Sequence, residues 1–411
     1  MQQRRTFMRG IVFSYLAAYS GACGGRAEPT PFDGPLDGPA DYRVPRYPDP
    51  GSTGDLCADP PSSLRTKLLW EQSLPLYGMD AVPYFAFSGD GSKLITPSDQ
   101  YGKGNGLFAV ADGARITGTK ARVLGRDAAW SRELRGPDLR GPAGEVSVVD
   151  LELEQTLLSL GPVSQLVRLS ADGKYVFGVY CHDRDRLERR GISDGEVTVV
   201  PLSAELSPCP LDYYTGYVDL SAPFVVSSSN DSAAFLADQG RDLVLASLSA
   251  GTTSAHTLYE AAPPDQWPPA DMIVGLALAP SQRALSTVNG TGVLRIWSYP
   301  GLVQSLPDIQ LSVTHAFSRG CYCAPRDFAP VAWSPDERYL ATANEAGNTV
   351  LRRACSGSVV TTLQAPKQAS SFEGYAQGPA FIAWSPNGRG LAVLSISEEY
   401  DGTVSYYELS E

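Results

Sequence analysis

Histidine is the side chain that most often carries acid–base or metal chemistry near neutral pH, and this chain has three: His182, His256 and His315. They lie far apart in sequence, and no pair of histidines or cysteines has the spacing of a structural zinc site. The sequence also lacks a haem-attachment motif and a phosphate-binding loop. We therefore expect no catalytic residues, no bound metal and no cofactor.

Cysteines are the other reactive side chains. Cys23 follows three small residues near the N-terminus, and the other six form an even set, which in an exported chain predicts disulfide bonds. One candidate pair is Cys181 with Cys209. A second candidate set is Cys57, Cys321, Cys323 and Cys355. The alternative is that some of these cysteines are buried small apolar residues.

Two further segments have side chains suited to binding. Tyr213, Tyr214 and Tyr217 concentrate aromatic residues, and tyrosine offers a large contact area at a low cost in ordering entropy. We predict that they form a contact patch. The run 182–190 mixes acidic residues with arginines, and we interpret it as a solvated hairpin tip. Binding of a charged partner by this run is the alternative.

The N-terminus has the pattern of an export signal. Residues 1–22 contain three arginines and no acidic residue, and an apolar stretch from Ile11 to Tyr19 precedes small residues. As a helix this stretch would rise only about 14 Å, roughly half of the hydrocarbon thickness of a membrane. It therefore predicts a signal peptide and not a stable membrane span.

Two details of this segment resemble known bacterial motifs. Gln3-Arg4-Arg5-Thr6-Phe7-Met8-Arg9 resembles the twin-arginine export signal. Ser20-Gly21-Ala22-Cys23 resembles a lipobox, although Ser20 stands where leucine is usual. The resemblance implies lipid attachment at Cys23, with an ordinary signal peptide cut nearby as the alternative. Gly24 replaces the aspartate that retains enteric lipoproteins in the inner membrane, which favours an outer-membrane or surface lipoprotein.

A tether is expected at 23–63. Residues 24–62 hold nine prolines and six glycines in 39 positions, with hardly any apolar periodicity. Such a composition favours an extended segment that cannot bury a core. We therefore predict a disordered tether between the membrane anchor and a folded domain over 64–411.

Internal repeats determine the expected fold of that domain. One pattern recurs from Leu64 onward: an apolar strand, a turn resembling Ser-x-Asp-Gly, a second strand, a short polar turn and a third strand. The serine or its equivalent, which anchors each turn, lies at positions 88, 170, 229, 279, 334 and 385. The interval of 82 residues between the first two anchors is nearly right for two repeats, and a degenerate anchor lies at 128–131. The domain therefore has seven repeats.

A third strand is predicted after each anchor. The candidate segments are short, rich in apolar residues and bounded by glycine or aspartate, as is typical of strands. They are 106–112, 144–152, 195–203, 242–248, 292–299, 348–354 and 402–409.

These repeats resemble those of WD40-type β-propellers. The resemblance rests on Trp-Ser-Pro-Asp at 333–336, Trp-Ser-Pro-Asn at 384–387 and Val-Leu-Arg-Ile-Trp at 293–297. It implies an all-β, seven-bladed propeller over 64–411. The family's Gly-His dipeptide is missing and only Trp297 matches its third-strand tryptophan, so its polar network cannot be mapped. Blade packing is expected to rest on apolar side chains, among them Phe87, Leu169, Leu278, Trp333 and Trp384.

Closure of the ring is predicted from both chain ends. The last repeat ends after three strands, and Thr66–Gln72 forms a lone strand before the first anchor. Because exposed blade edges must be paired or protected, we expect this strand to supply the outer strand of blade seven.

Charge narrows the function. The chain has 33 basic and 45 acidic residues, and removal of residues 1–22 leaves 30 against 45, a net charge of −15. Such a surface argues against nucleic-acid binding. We interpret the protein as a non-catalytic, lipid-anchored interaction scaffold of a bacterial cell envelope, a monomeric ring that binds protein partners through one face. The alternative is a propeller enzyme or cofactor-binding protein, lactonase-like or quinoprotein-like, with its site at the central channel.

Overall fold

In a computed structural model of the protein, strands and turns, without any α-helix, make up the part of the chain that is described. The described residues are 64–75, 85–98, 105–116, 122–127, 129–136, 146–160, 166–180, 186–203, 206, 224–227, 229–237, 241–260, 272–311, 330–344, 347–364, 378–396 and 401–410.

Seven antiparallel sheets form seven blades, and the chain fills them in order. Blades one to three contain β2 (Ala86–Phe87), β3 (Lys93–Ser98) and β4 (Asn105–Ala109); β5 (Arg122–Arg126), β6 (Arg132–Gly136), β7 (Ser147–Asp150) and β8 (Gln155–Ser159); and β9 (Leu166–Leu169), β10 (Tyr175–Tyr180), β11 (Arg186–Gly191) and β12 (Val197–Pro201).

Blade one has three strands and blades two and three have four, as do the remaining four blades. They contain β13 (Phe224–Val226), β14 (Ser232–Ala237), β15 (Asp242–Ser247) and β16 (Thr252–Thr257); β17 (Ile273–Leu278), β18 (Ala284–Asn289), β19 (Val293–Ser298) and β20 (Ile309–Gln310); β21 (Val331–Trp333), β22 (Tyr339–Ala343), β23 (Thr349–Arg353) and β24 (Val359–Leu363); and β25 (Gly378–Trp384), β26 (Gly390–Ile396), β27 (Asp401–Ser410) and β1 (Arg65–Pro75).

The blades form a closed ring around their first strands. The first strands of neighbouring blades contact one another from β5 through β25 and on to β2, and β3 contacts β5. The first strand of each blade is therefore the innermost. The predicted seven-bladed β-propeller is confirmed.

The strand β1 closes the ring, as predicted. It pairs antiparallel with β27 from Arg65 opposite Ser410 to Pro75 opposite Asp401, with a bulge between Leu68 and Trp70. Trp70 is buried, and its indole N–H donates to the carbonyl oxygen of Val110 in blade one at 2.8 Å. The N-terminal strand thus belongs to the last blade and also contacts the first.

Within the described ranges, apolar clusters fill six of the seven seams between blades. Each combines alternate side chains of one blade with the facing side chains of its neighbour, as the period of two along a strand requires. The predicted core residues Phe87 and Trp333 are buried in these clusters, and Leu169, Leu278 and Trp384 are partly buried against them. Blade packing therefore rests on apolar side chains, as expected.

The seam between blades one and two contains charged groups. Leu134 points into the cluster shared with blade three, so its neighbour Glu133 in β6 points toward blade one. Glu133 is 0% exposed and binds two arginines: Arg126 Nε at 2.8 Å and Arg135 Nε at 2.7 Å. The Arg126 guanidinium also lies 4.5 Å from the ring centre of Trp130. A buried carboxylate is thus neutralised by two cations, one of them on an innermost strand.

Blade three corrects one strand prediction. The third strand is β11, within the charged run that we interpreted as a hairpin tip, whereas the predicted third strand 195–203 contains the outer strand β12. Leu187 is fully buried in the seam with blade four, while Glu188 on the other face binds Arg186 at 2.6 Å and Arg190 at 3.3 Å. Internal pairing lets these charges occupy a strand, a possibility that an apolar-pattern search does not detect.

Candidate interaction surface

Seven tight turns between the first and second strands define one end of the ring. Ser334 is typical: its Oγ donates to Asp336 Oδ1 at 2.6 Å and accepts the backbone N–H of Tyr339 at 2.9 Å. Ser88, Ser170 and Ser385 make the same pair of bonds. One hydroxyl acts as donor and acceptor together, which fixes both strands of the hairpin. We call the seven turns the anchor turns.

Two anchors differ in position from those predicted. In blade four the anchor is Ser227, which accepts the backbone N–H of Ser232 at 2.9 Å, so position 229 was wrong by two residues. In blade two it is Asp127, whose Oδ1 accepts the N–H groups of Ser131 and Arg132 at 2.8 and 3.0 Å. A carboxylate replaces the hydroxyl there, so the anchor precedes the predicted segment 128–131.

In every anchor turn, the residue three positions after the anchor has a positive φ angle, in the left-handed region of backbone conformation. Glycine occupies this position in three turns, as its conformational freedom favours. The seven residues and their φ angles are Gly91 (72°), Trp130 (54°), Gly173 (68°), Asn230 (58°), Gln282 (60°), Glu337 (60°) and Gly388 (71°). The seven turns therefore share one backbone shape despite their different sequences.

Three of the four non-glycine residues at that position join neighbouring blades. Asn230 Nδ2 donates to Asp172 of blade three at 3.0 Å, and Glu337 Oε2 accepts from Ser281 Oγ of blade five at 2.8 Å. Trp130 Nε1 donates to the carbonyl oxygen of Phe87 in blade one at 3.3 Å. These side chains compensate for the backbone strain by holding the ring together. At the anchor-turn end, these side chains therefore serve to hold neighbouring blades together.

Electrostatics at this end are also local to the turns. Partial burial raises the pKa of Asp90, but hydrogen bonds from Ser88 and Ser92 and the nearby Lys93 charge together lower it below its usual value. The carboxylate therefore remains ionised at neutral pH and retains its bonds within the turn.

Buried indole and phenol groups form hydrogen bonds within and between blades. Trp333 Nε1 donates to Ser286 Oγ of blade five at 3.0 Å. Thr287 Oγ1 of blade five accepts from Trp297 Nε1 of the same blade at 2.9 Å and lies 2.8 Å from the hydroxyl of Tyr259, which follows the last strand of blade four. Burial raises the pKa of Tyr259 well above its usual range, so its hydroxyl stays protonated. These groups stiffen the blades and do not form an open site.

The opposite end of the ring receives most of the other connections. Because the strands of each blade are antiparallel, the joins between second and third strands, and those that follow a fourth strand, start at this end, whereas the turns between third and fourth strands lie at the anchor-turn end. We call it the connection end. Tyr213, Tyr214 and Tyr217 belong to the join from β12 to β13, and they lie outside the described residues. The contact-patch prediction therefore stays a prediction.

Candidate catalytic and metal-binding groups do not converge in the described ranges. His256 lies on the outer strand β16, where its Nε2 is 2.8 Å from Ser254 Oγ, and His182 and His315 lie outside those ranges. No group of three or more histidine, cysteine, aspartate or glutamate residues within them could hold a metal ion. No helix in the same ranges is long and apolar enough to cross a membrane.

Two sequence features near the β11–β12 and β23–β24 turns are placed by the structure. Gly191–Gly195 has the Gly-x-Ser-x-Gly spacing of a nucleophile elbow, which our sequence reading missed. It joins two antiparallel strands and leads into no helix, so it lacks the geometry of an elbow.

Cys355 carries a free thiol in the turn after β23. The other predicted disulfide cysteines and Cys23 lie outside the described residues.

Comparisons with known proteins place the fold and nothing finer. No protein-family profile matches the sequence, and no curated protein matches it. Among solved structures, the β-propeller domain of Cps50 (Swd1) from Myceliophteria thermophila is similar at 14% identity with a TM-score of 0.52. The match covers 82% of this chain and 99% of that chain. At this identity the likeness shows a shared β-propeller fold alone.

Proposed function

We propose that the protein is an exported, lipid-anchored interaction scaffold of a bacterial cell envelope. It acts by binding protein partners and not by catalysis, and it is anchored through Cys23 by a tether over 23–63. Partners bind at the connection end of a monomeric ring. Tyr213, Tyr214 and Tyr217 contribute to that surface.

One observation carries this proposal: the connections at the two ends of the closed ring differ. At the anchor-turn end, seven turns of one backbone shape hold the hairpins and join neighbouring blades through hydrogen bonds. The joins that start at the connection end vary in length, from three residues between β18 and β19 to 22 residues between β12 and β13, and such variation is typical of loops that carry function on a rigid scaffold. The fold is compatible with protein interaction, and the tyrosines lie in a join that starts at the connection end.

Crosslinking in cells tests the binding end. We expect the wild-type protein to crosslink to partners, and we expect these crosslinks to be lost when Tyr213, Tyr214 and Tyr217 are replaced by alanine. The matched control is Leu153→Ser, because Leu153 is 60% exposed in a turn at the anchor-turn end. Loss of partners in the control and not in the tyrosine variant would place partner binding at the anchor-turn end and contradict the proposal.

Metabolic labelling with an alkyne fatty acid in a bacterial host tests the anchor. The wild-type protein should take up label and fractionate with membranes, and Cys23→Ala should lose the label. The control is Cys355→Ala, which removes the free thiol in the turn after β23 and should keep the label. Label that persists in Cys23→Ala would disprove lipid attachment at this cysteine.

A further inference from the structure

Arg352 occupies an unusual place on the outer part of blade six. It lies in β23, opposite Leu340 of β22 and Val359 of β24. Residues opposite one another share a face of the sheet, and Leu340 belongs to the cluster between blades five and six. The Arg352 side chain therefore points toward blade five, in a row that runs from the apolar seam to the outermost strand.

The Arg352 guanidinium lacks a carboxylate partner among the described residues. Nη1 donates to the carbonyl oxygen of Gly357 at 3.1 Å, whereas Nε is buried without a hydrogen-bond partner. By contrast, Arg126, Arg186 and Arg295 each bind a carboxylate of their own blade. Desolvation lowers the pKa of Arg352. A half-buried cation with an unused donor is costly to the free protein unless something else binds it.

Aliphatic side chains adjoin this cation on both blades. Val359, on the same face of blade six, is 56% exposed. Ile309 of β20 is partly buried and packs close to Gly357, where an added Cβ would lie 2.2 Å from Ile309 Cδ1. Since β24 is the outermost strand of blade six, its outer backbone groups face away from the sheet. Cation, aliphatic surface and strand edge are thus contiguous.

We propose that Arg352 receives an aspartate or glutamate carboxylate of a protein partner whose extended segment lies along the outer edge of β24. This proposal rests on the scaffold role and adds to the connection end a second binding surface, on the outer edge of blade six, with the chemistry of its partner. A carboxylate completes the guanidinium through paired charge-assisted bonds, and an aliphatic neighbour in the segment covers Val359. The edge strand supplies main-chain hydrogen bonds, as in other cases of strand addition.

Selection from random heptapeptides displayed on phage tests this proposal without knowledge of the partner. The immobilised targets are the full mature chain, its Arg352→Gln variant and a matched control, Arg389→Gln, in an exposed anchor turn of blade seven. We expect aspartate and glutamate to be enriched at least tenfold on the wild type and on Arg389→Gln relative to Arg352→Gln. Equal enrichment on all three targets, or none on any, would overturn the proposal.

Fluorescence anisotropy then distinguishes a peptide from a small anion. The best selected peptide should bind at least tenfold more weakly when its acidic residue becomes Asn or Gln, and again when Val359 becomes Asp. Competition by millimolar acetate or phosphate as strong as by the peptide would assign the site to a small anion and overturn the proposal. An unchanged melting temperature in Arg352→Gln excludes loss of folding as the cause.

The two proposals fail separately. If partners crosslink to the wild type and to Arg352→Gln alike, and peptide selection shows no dependence on Arg352, the scaffold role stands and the edge site falls. If crosslinking finds no partner while acidic peptides still depend on Arg352, the edge site stands and partner binding at the connection end falls.

Discussion

At the residue scale, one hydroxyl carries much of the anchor turn in five of the seven blades. Ser334 is 1% exposed and makes two hydrogen bonds through Oγ, so Ser334→Ala leaves a buried N–H and a carboxylate short of a partner. We expect the free energy of unfolding to fall by about 1–2 kcal/mol, measured by urea denaturation. The control Ser356→Ala changes an exposed serine and should stay within about 0.5 kcal/mol. Equal losses in both variants would contradict this role.

The buried carboxylate of Glu133 contributes to stability through ion pairs. Its carboxylate is fully buried between Arg126 and Arg135, so Glu133→Gln leaves two guanidinium groups poorly neutralised in the seam. We expect a loss of about 3–5 kcal/mol, because breaking a buried pair leaves an uncompensated charge. Asp308→Asn breaks the more exposed pair with Arg295 and should cost at most about 1 kcal/mol. Chemical denaturation of both variants checks the difference, and a loss below 1 kcal/mol for Glu133→Gln would refute it.

The same Asp308 predicts a pH dependence. Its hydrogen bond with Arg295 lowers its pKa from the unperturbed value of 3.8. A carboxylate with a lowered folded-state pKa contributes stability above its unfolded pKa and loses it as the pH falls through the folded value. Below about pH 4, wild-type stability should therefore fall more steeply than that of Asp308→Asn. Denaturation curves between pH 3 and pH 7 test this, and parallel curves would contradict it.

At the element scale, β1 shows what one strand contributes to closure. Trp70 is 8% exposed, stacks on Phe108 and contacts Tyr406, so it joins blades seven and one. Trp70→Ala should lower the free energy of unfolding by about 3–5 kcal/mol. Leu68→Ala in the same strand removes a side chain that is 44% exposed, and its effect should stay below about 1 kcal/mol. Thermal denaturation of both variants compares them, and equal shifts would contradict a closing role for β1.

The strands also show which elements a sequence can specify. Local patterns predicted β1, five of the seven anchor positions and most third strands, because each depends on hydrophobic alternation or turn chemistry within a few residues. The strand β11 escaped detection because Glu188 neutralises Arg186 and Arg190 only after the chain folds. Arg352 escaped for a similar reason: whether its Nε finds a partner among the described residues depends on its surroundings in the fold and not on its neighbours in sequence.

At the scale of the whole molecule, the sequence predicts that the tether over 23–63 adds nothing to the stability of the ring. The first described strand is β1. The apolar clusters in six of the seams consist of residues from Leu64 onward, none of which belongs to the tether. Under reducing conditions, which open any disulfide bond from Cys57, a chain that begins at residue 62 should therefore melt within about 2 °C of one that begins at residue 24, a difference of less than about 1 kcal/mol.

A third chain that begins at residue 76 provides the contrast. It lacks β1, so the β27 edge opens and Trp70 leaves the seam between blades seven and one. Because the ring is joined at every seam, loss of this strand should destabilise the whole propeller and lower its melting temperature far more than removal of the tether. Calorimetry of the three chains measures both effects. A large drop on removal of residues 24–61 alone would show that the tether is part of the folded domain.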